Sequence, residues 1–392
     1  MDRIQGSEKI NYACDFMLAG RAMSNGVTPQ VTKTRQKYWG HWETYTAKCN
    51  VSPFLDAVDN IERAILLTGY AARVRTGAFG RGNQIKIQSV TDALSAISTT
   101  AQLVGKQSPV HKAPGEYILP VKRCIEGFRR DDPPAQPQLA IPKEVAEECI
   151  RLGYLSQDVC LQAKGDLATI AFYYLLRNGE YTKPRKVELN GRRVPAARTR
   201  QFRVCDVGFF RDKKILPRRS PLEILIQADS ATLKITNQKN GRMGQTLHQQ
   251  STGSSGAVAA LCRRIHHIVS NGGSDNQLIC DVRLPTGTWY SISQHDMVQT
   301  VRTATKSLKL HENGIDPDLI GAHSLRAGGA MSLKIMGYSD STIQKIGRWT
   351  SDTWQMYIHT QISHLHQGIA ANMTTAIPYH NIAFIEPPQA ST

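Results

Sequence analysis

The chain has 392 residues, enough for two cores, and its 41% hydrophobic content excludes a disordered basic tail. Its 48 Lys and Arg against 32 Asp and Glu leave a formal charge of +16, which points to a polyanionic partner. No apolar run reaches the length of a membrane span, and the opening MDRIQGSEKINYACDF lacks a secretory apolar core, so an intracellular protein with no membrane partner is expected. None of the eight cysteines is spaced C-x-x-C, which excludes a zinc ribbon and a disulfide scaffold and predicts buried free thiols.

The N-terminal part reads as helices. Residues 34–47 set Tyr38, Trp42 and Tyr45 on one stripe. Residues 56–69 set Val58, Ile61, Ile65 and Leu66 on another, with Gly69 as the stop. Residues 89–104 repeat the pattern with Val90, Leu94, Ile97 and Ala101, and residues 117–128 with Ile118, Val121, Ile125 and Phe128. Together they predict an all-α bundle over residues 1–132. Residues 128–138, FRRDDPPAQPQ, pack three prolines and four charges into eleven residues and read as non-helical, with the linker proper at 133–138.

Residues 139–392 read as a mixed α+β, mainly helical domain with a small antiparallel sheet. Helix signals cover 144–152, 157–176 and 257–270. Residues 202–207 and 231–236 alternate as strands do, and Asn240-Gly241 is a hairpin-turn signal after the second. Residues 183–219 hold 13 Lys and Arg against three acids and read as loops and an edge strand beside an anionic ligand, or as a solvated basic surface.

The chemistry gathers in HSLRAGGAMSLKIMGYSDSTIQKIGRWTSDTWQMYIHTQI, residues 323–362. His323 and Arg326, three apart, share a helix face. Gly337 ends that helix, and Ser339 or Asp340 caps the next. Gly347-Arg348-Trp349 follows, then a short helix from Ser351 or Asp352, whose Trp354, Ile358 and Ile362 form a core stripe that turns Tyr357 to a neighbouring face. Singly, each of these is an ordinary surface pair, core aromatic or solvated side chain. The joint order is what points to a site.

This segment resembles the tyrosine recombinase, or phage integrase, family: H-x-x-R, a glycine followed by His or Trp, then a nucleophilic tyrosine. Its wording is most similar to the recombinases of eukaryotic mobile elements, the Crypton-like and DIRS-like groups. The Trp349-to-Tyr357 spacing is one residue shorter than in most bacterial integrases. The resemblance also implies an upstream arginine with a carboxylate three residues on, met by Arg177 and Glu180, and a hairpin lysine, met by Lys239 in TNQKNGRMG. The stretch from Glu180 to Phe202 is about twenty residues longer than such a fold needs.

The resemblance implies a helical core-binding domain (1–132), a linker (133–138) and a catalytic domain with its tail (139–392), closing around duplex DNA as a C. It implies four protomers on two DNA sites, in the nucleus if the host is eukaryotic and in the cytoplasm if bacterial. Residue chemistry agrees. Arg177 and Arg326 offer permanently charged forks to the non-bridging phosphate oxygens, and His323 accepts the proton of the attacking hydroxyl. Trp349 supplies one N–H and a pocket wall. Tyr357 is the nucleophile, Lys239 protonates the leaving oxygen, and Glu180 orients its neighbours. No cofactor or metal is expected. A type IB topoisomerase and a DNA-binding protein derived from a recombinase share the same residues and stay open as alternatives.

Overall fold

A computed structural model describes residues 8–80, 82–133, 139–237 and 244–357 of the chain. Contacts divide these into two units. One holds the described residues before 134 together with Pro184–Arg198. The other holds those of 139–183 and 199–357. No helix among the described residues is long and apolar enough to cross a membrane.

The first unit comprises α1 (Glu8–Asn25), α2 (Pro29–Lys48), α3 (Asn60–Arg75), α4 (Ile87–Leu103), a two-stranded β1 (His111–Ala113) and β2 (Glu116–Tyr117), and α5 (Leu119–Asp131). Trp42 is fully buried and donates its indole N–H to the Pro53 carbonyl at 2.7 Å. Val90, Leu94, Ile97 and Ala101 of α4 are buried, as their spacing predicts. Two expectations fail. In α3, Leu66 is buried as expected, but Ile61 and Ile65 are 74% and 64% exposed, and Leu67, Tyr70 and Val74 complete the core face in their place. The helix also runs through Gly69, whose bare Cα faces the Tyr45 hydroxyl: a Cβ there would sit 2.6 Å from that oxygen. Gly69 is thus a close-approach residue and not a stop.

The 128–138 stretch is also partly helical. α5 continues to Asp131, because only Pro133 forces its predecessor out of the helix, and Asp132 is extended. Asp132 then pairs with the buried Arg75 and accepts from the Ile87 N–H. The remainder of the expected linker, 134–138, lies outside the described residues.

The unit's last element is a hairpin, β3 (Lys186–Leu189) with β4 (Arg192–Pro195), turning at Asn190-Gly191. Both turn residues have positive φ (+49° and +71°), the geometry that Asn-Gly sequences favour. Residues 183–219 therefore hold two hairpins, where loops and one edge strand were expected. The second of these pairs β5 (Val207–Arg211) with β6 (Lys214–Leu216).

The second unit is built on α6 (Lys143–Ser156) and α7 (Val159–Tyr173), followed by α8 (Asn178–Tyr181), α9 (Leu222–Leu225), α10 (Ala257–Ser270), α11 (Gln294–Ser307), α12 (Ser324–Ile335) and α13 (Asp340–Gly347). Strands β5, β6, β7 (Ser230–Lys234) and β8 (Thr246–Gln250) form an antiparallel sheet in the order β6-β5-β7-β8, and β9 (Asp281–Arg283) pairs with β10 (Trp289–Ser291). The strand expected at 202–207 starts only at Val207. A 3-10 turn (Val204–Asp206) precedes it, because the Asp206 carboxylate accepts from the Arg203 N–H at 2.9 Å and closes the backbone on itself.

The sheet is tied to the end of α7: Tyr174 donates its hydroxyl to the Ala231 carbonyl, and Gln249 its amide to the Tyr173 carbonyl. Cys49, Cys124, Cys149, Cys160, Cys205, Cys262 and Cys280 are free thiols. Cys149, Cys262 and Cys280 are buried as expected, whereas Cys49 and Cys205 are exposed.

Candidate active site

Three segments of the second unit meet: the turn after α7, the start of α12, and the end of α13. The turn is set by Leu175, which adopts the left-handed conformation (φ +49°) and is buried. That conformation costs a branched residue about 1–2 kcal/mol. It aims the Leu175 carbonyl at two guanidiniums: Arg326 Nη1 donates to it at 2.5 Å and Arg348 Nη2 at 2.9 Å. Two charge-assisted bonds at roughly 1.5–3 kcal/mol each outweigh the strain.

The packing of α12 explains its GG pair. A Cβ on Gly328 would run into the Ile141 carbonyl and stand 2.9 Å from Phe172. A Cβ on Gly329 would run into the Phe172 carbonyl. The glycines let α12 lie against the end of α7, which brings Arg326 to Leu175. Arg326 is 1% exposed, also donates to the Gly347 carbonyl, and lies over the Trp349 ring at 4.1 Å from its centroid. Gly347 leaves room for that ring, since a Cβ there would overlap it.

Arg177 precedes α8. Its backbone N–H donates to Glu180 Oε2 at 2.9 Å, and its Nη1 to Glu180 Oε1 at 3.3 Å. Its Nη2 donates to the Arg348 carbonyl at 3.4 Å, and its side chain remains 18% exposed. His323 stands at the N-cap position of α12 and is exposed, one turn before Arg326. Ser339 caps α13, as expected, and Gly337 follows α12 with φ +81°. The expected helix at 351 is a 3-10 turn (Asp352–Tyr357), in which Trp354 is 1% exposed.

The structure thus brings Arg177, Glu180, Arg326 and Trp349 together. Tyr357 ends the last described turn, but its side chain lies outside the described residues. So do Ile358 and Ile362, and so does Lys239, which falls in the connection between β7 and β8.

One residue of the cluster was not predicted. Arg348 is fully buried and grips Glu180 with both Nη atoms, at 3.2 Å to each carboxylate oxygen. It sits just past α13 at φ +61°, a position where glycine is usual. Burial lowers its pKa, and the Glu180 carboxylate opposes that shift. An arginine keeps its charge even so. Its Nε finds no partner among the described residues. Among the described residues the cluster carries three guanidiniums and one carboxylate. That excess of positive charge, partly screened from water, suits an anionic group of phosphate type.

No protein-family model matches this chain, and no curated protein matches it. Solved structures do show a likeness. The crystal structure of XerA recombinase aligns at 14% identity over 91% of this chain and 96% of that one, with a TM-score of 0.36. The Tn1549 transposon integrase in complex with circular intermediate DNA aligns at 12% identity over 86% and 99%, with a TM-score of 0.40. The XerH site-specific recombinase in its post-cleavage complex with a palindromic difH substrate aligns at 13% identity over 79% and 72%, with a TM-score of 0.46.

Proposed function

We propose that this chain is a site-specific DNA recombinase or integrase that cuts and rejoins strands through a 3′-phosphotyrosine intermediate, without metal or ATP. The observation that carries the reading is the single, largely buried cluster of Arg177, Glu180, Arg326 and Trp349, drawn from distant parts of the sequence and richer in guanidinium than in carboxylate.

In this reading Tyr357 Oη attacks the phosphorus and its proton passes to His323. The bond from phosphorus to the 5′ oxygen breaks, and Lys239 protonates the departing oxygen. Arg177 and Arg326 hold the non-bridging oxygens, where charge builds in the transition state. Trp349 walls the pocket, and Glu180 and Arg348 fix the guanidiniums. One phosphodiester is exchanged for a phosphotyrosine ester, so rejoining needs no outside energy. The helical unit serves as the core-binding domain, four protomers act on two DNA sites, and the motif wording is most similar to recombinases of Crypton-like or DIRS-like mobile elements, which places the activity in the nucleus if the host is eukaryotic and in the cytoplasm if it is bacterial.

The test is trapping on nicked suicide duplexes drawn from DNA flanking the gene, with chelator present. A labelled protein–DNA band that survives denaturing electrophoresis and vanishes in Tyr357→Phe is expected. Tight, salt-sensitive binding without a band overturns the enzyme in favour of a DNA-binding protein. Relaxation of one circle with no joining of two partners points to a topoisomerase.

A further inference from the structure

We infer that the hairpin β3–β4, with its flanks over Pro184–Arg198, is a nucleic-acid-binding arm that lies along a phosphate backbone. The inference rests on the reading of the chain as a DNA strand-transfer enzyme and adds a contact surface away from the catalytic cluster.

The segment carries Arg185, Lys186, Arg192, Arg193 and Arg198 against the single acid Glu188, and all five cations are exposed. Arg198 donates to the Asn25 carbonyl. Among the described residues, the other four have no carboxylate partner. Glu188 stands opposite Arg193 in the strand register, yet the two make no ion pair. Some exposed cations elsewhere are matched: Lys112 with Glu116, Lys143 with Glu147, and Arg151 with Glu148. Pro184–Arg198 thus carries +4 of the chain's formal +16, on a short ribbon whose like charges an outside polyanion would screen.

The hairpin is held in place by its other face. Val187 pairs with Val194, and Val187 and Ala196 are buried. The Ala196 carbonyl accepts from the Gln30 N–H at the start of α2. That helix carries Lys33, Arg35 and Lys37 with no acid before Glu43. The root is thus anchored on a basic helix, while Arg192 and Arg193 flank the exposed turn.

The chemistry favours nucleic acid. A two-stranded ribbon has the width of a duplex groove, and arginine forks match phosphate oxygens. A membrane fits poorly, because both valines are turned inward and the Asn190-Gly191 tip offers no apolar group for insertion.

The experiment measures binding of the full chain to a labelled duplex from the gene's flanking DNA, over a range of salt. The proteins are wild type, Arg192→Gln with Arg193→Gln, and Arg192→Glu with Arg193→Glu. Removing two phosphate contacts should lower the slope of log affinity against log salt by about 2, and weaken low-salt binding by about ten-fold or more. The Glu pair should weaken it further. Both sites are exposed, so the thermal midpoint should stay at the wild-type value, which separates lost contact from lost fold.

Wild-type slope and affinity in both variants overturn the arm while leaving the recombinase reading intact. Loss of binding to polyglutamate alone, with duplex binding kept, also overturns it in favour of an acidic protein partner. If the wild type itself neither binds duplex nor traps on the suicide substrate, the recombinase reading falls and the arm falls with it.

Discussion

The buried arginines of the second unit and the hairpin arginines of the first live under opposite rules. Arg326 and Arg348 are at most 1% exposed, with forks fixed by the Leu175 and Gly347 carbonyls and by the Glu180 carboxylate. Arg192 and Arg193 stand in solvent, positioned only by the backbone of a hairpin. The first kind places positive charge before any substrate arrives, so its contribution is preorganised and weakly screened. The second kind attracts at a distance and weakens as salt rises. Within the proposed function, one set serves the chemical step and the other serves capture, and salt is the variable that separates them.

The largest expected effect tests this directly. Arg326→Lys keeps the charge but loses the fork, the stacking on Trp349 and the two carbonyl bonds. Adduct formation on a suicide duplex at saturating protein should fall by about 10²–10³-fold. That loss should be the same at low and at physiological salt. A loss under about ten-fold, or one that grows with salt, would mean Arg326 acts by long-range attraction and the distinction fails.

Next in size is the Glu180–Arg348 pair. Removing one partner leaves a buried charge uncompensated, so Glu180→Gln should destabilise the protein by about 3–5 kcal/mol in chemical denaturation. Arg348→Met should cost a similar amount. The double variant should recover much of the stability but not the adduct yield, since Arg177 would lose the carboxylate that orients it. If the double variant is as unstable as the two single losses added together, the pair is not an isolated buried unit. Arg348→Gly sharpens the point. It relieves the left-handed backbone and still abandons Glu180, so it should remain destabilised if pairing outweighs strain.

A smaller effect is expected at Gly347. Gly347→Ala puts a methyl where the Trp349 ring lies, which should cost about 1–3 kcal/mol and displace the indole from Arg326. Tryptophan emission should shift along with the loss. An unchanged spectrum and midpoint would show that the ring has room to move.

The sequence revealed what local pattern encodes. The α4 stripe of Val90, Leu94 and Ile97 is buried because a period of 3.6 is written directly in the residues. Arg177, Glu180, Arg326 and Trp349 were legible as a group from residue type and order, and the fold brings them together. Arg348 was not, because a left-handed arginine answering a carboxylate 168 residues earlier leaves no local trace. Ile61 and Ile65 fit a helical stripe as well as Leu67 and Tyr70 do, and only the arrival of α2 and α4 decides which side is covered. At 202–207 the period of two was real in burial, but the Asp206 carboxylate turned the backbone into a 3-10 turn. Asn190-Gly191 carries the same turn signal as Asn240-Gly241, between strands whose many charges blur the apolar alternation.

The least of the expected effects concerns a third way to bury a cationic group, which is to discharge it. His267 on α10 accepts the Arg283 backbone N–H at Nε2, at 3.0 Å, and this requires a neutral nitrogen. Burial, aided by the charge of Arg264 and by His266, pushes its pKa down from 6.5 to about 4. The folded chain therefore binds fewer protons at this site than the unfolded chain wherever pH lies between those values. Its contribution is fully present above pH 6.5 and is lost as pH falls from there toward about 4. His267→Gln keeps an acceptor for the Arg283 N–H but cannot take up a proton. Denaturation midpoints followed through that window should fall more steeply for the wild type than for the variant. Equal slopes would mean that His267 is protonated in the fold, and that this part of the core admits an unpaired cation after all.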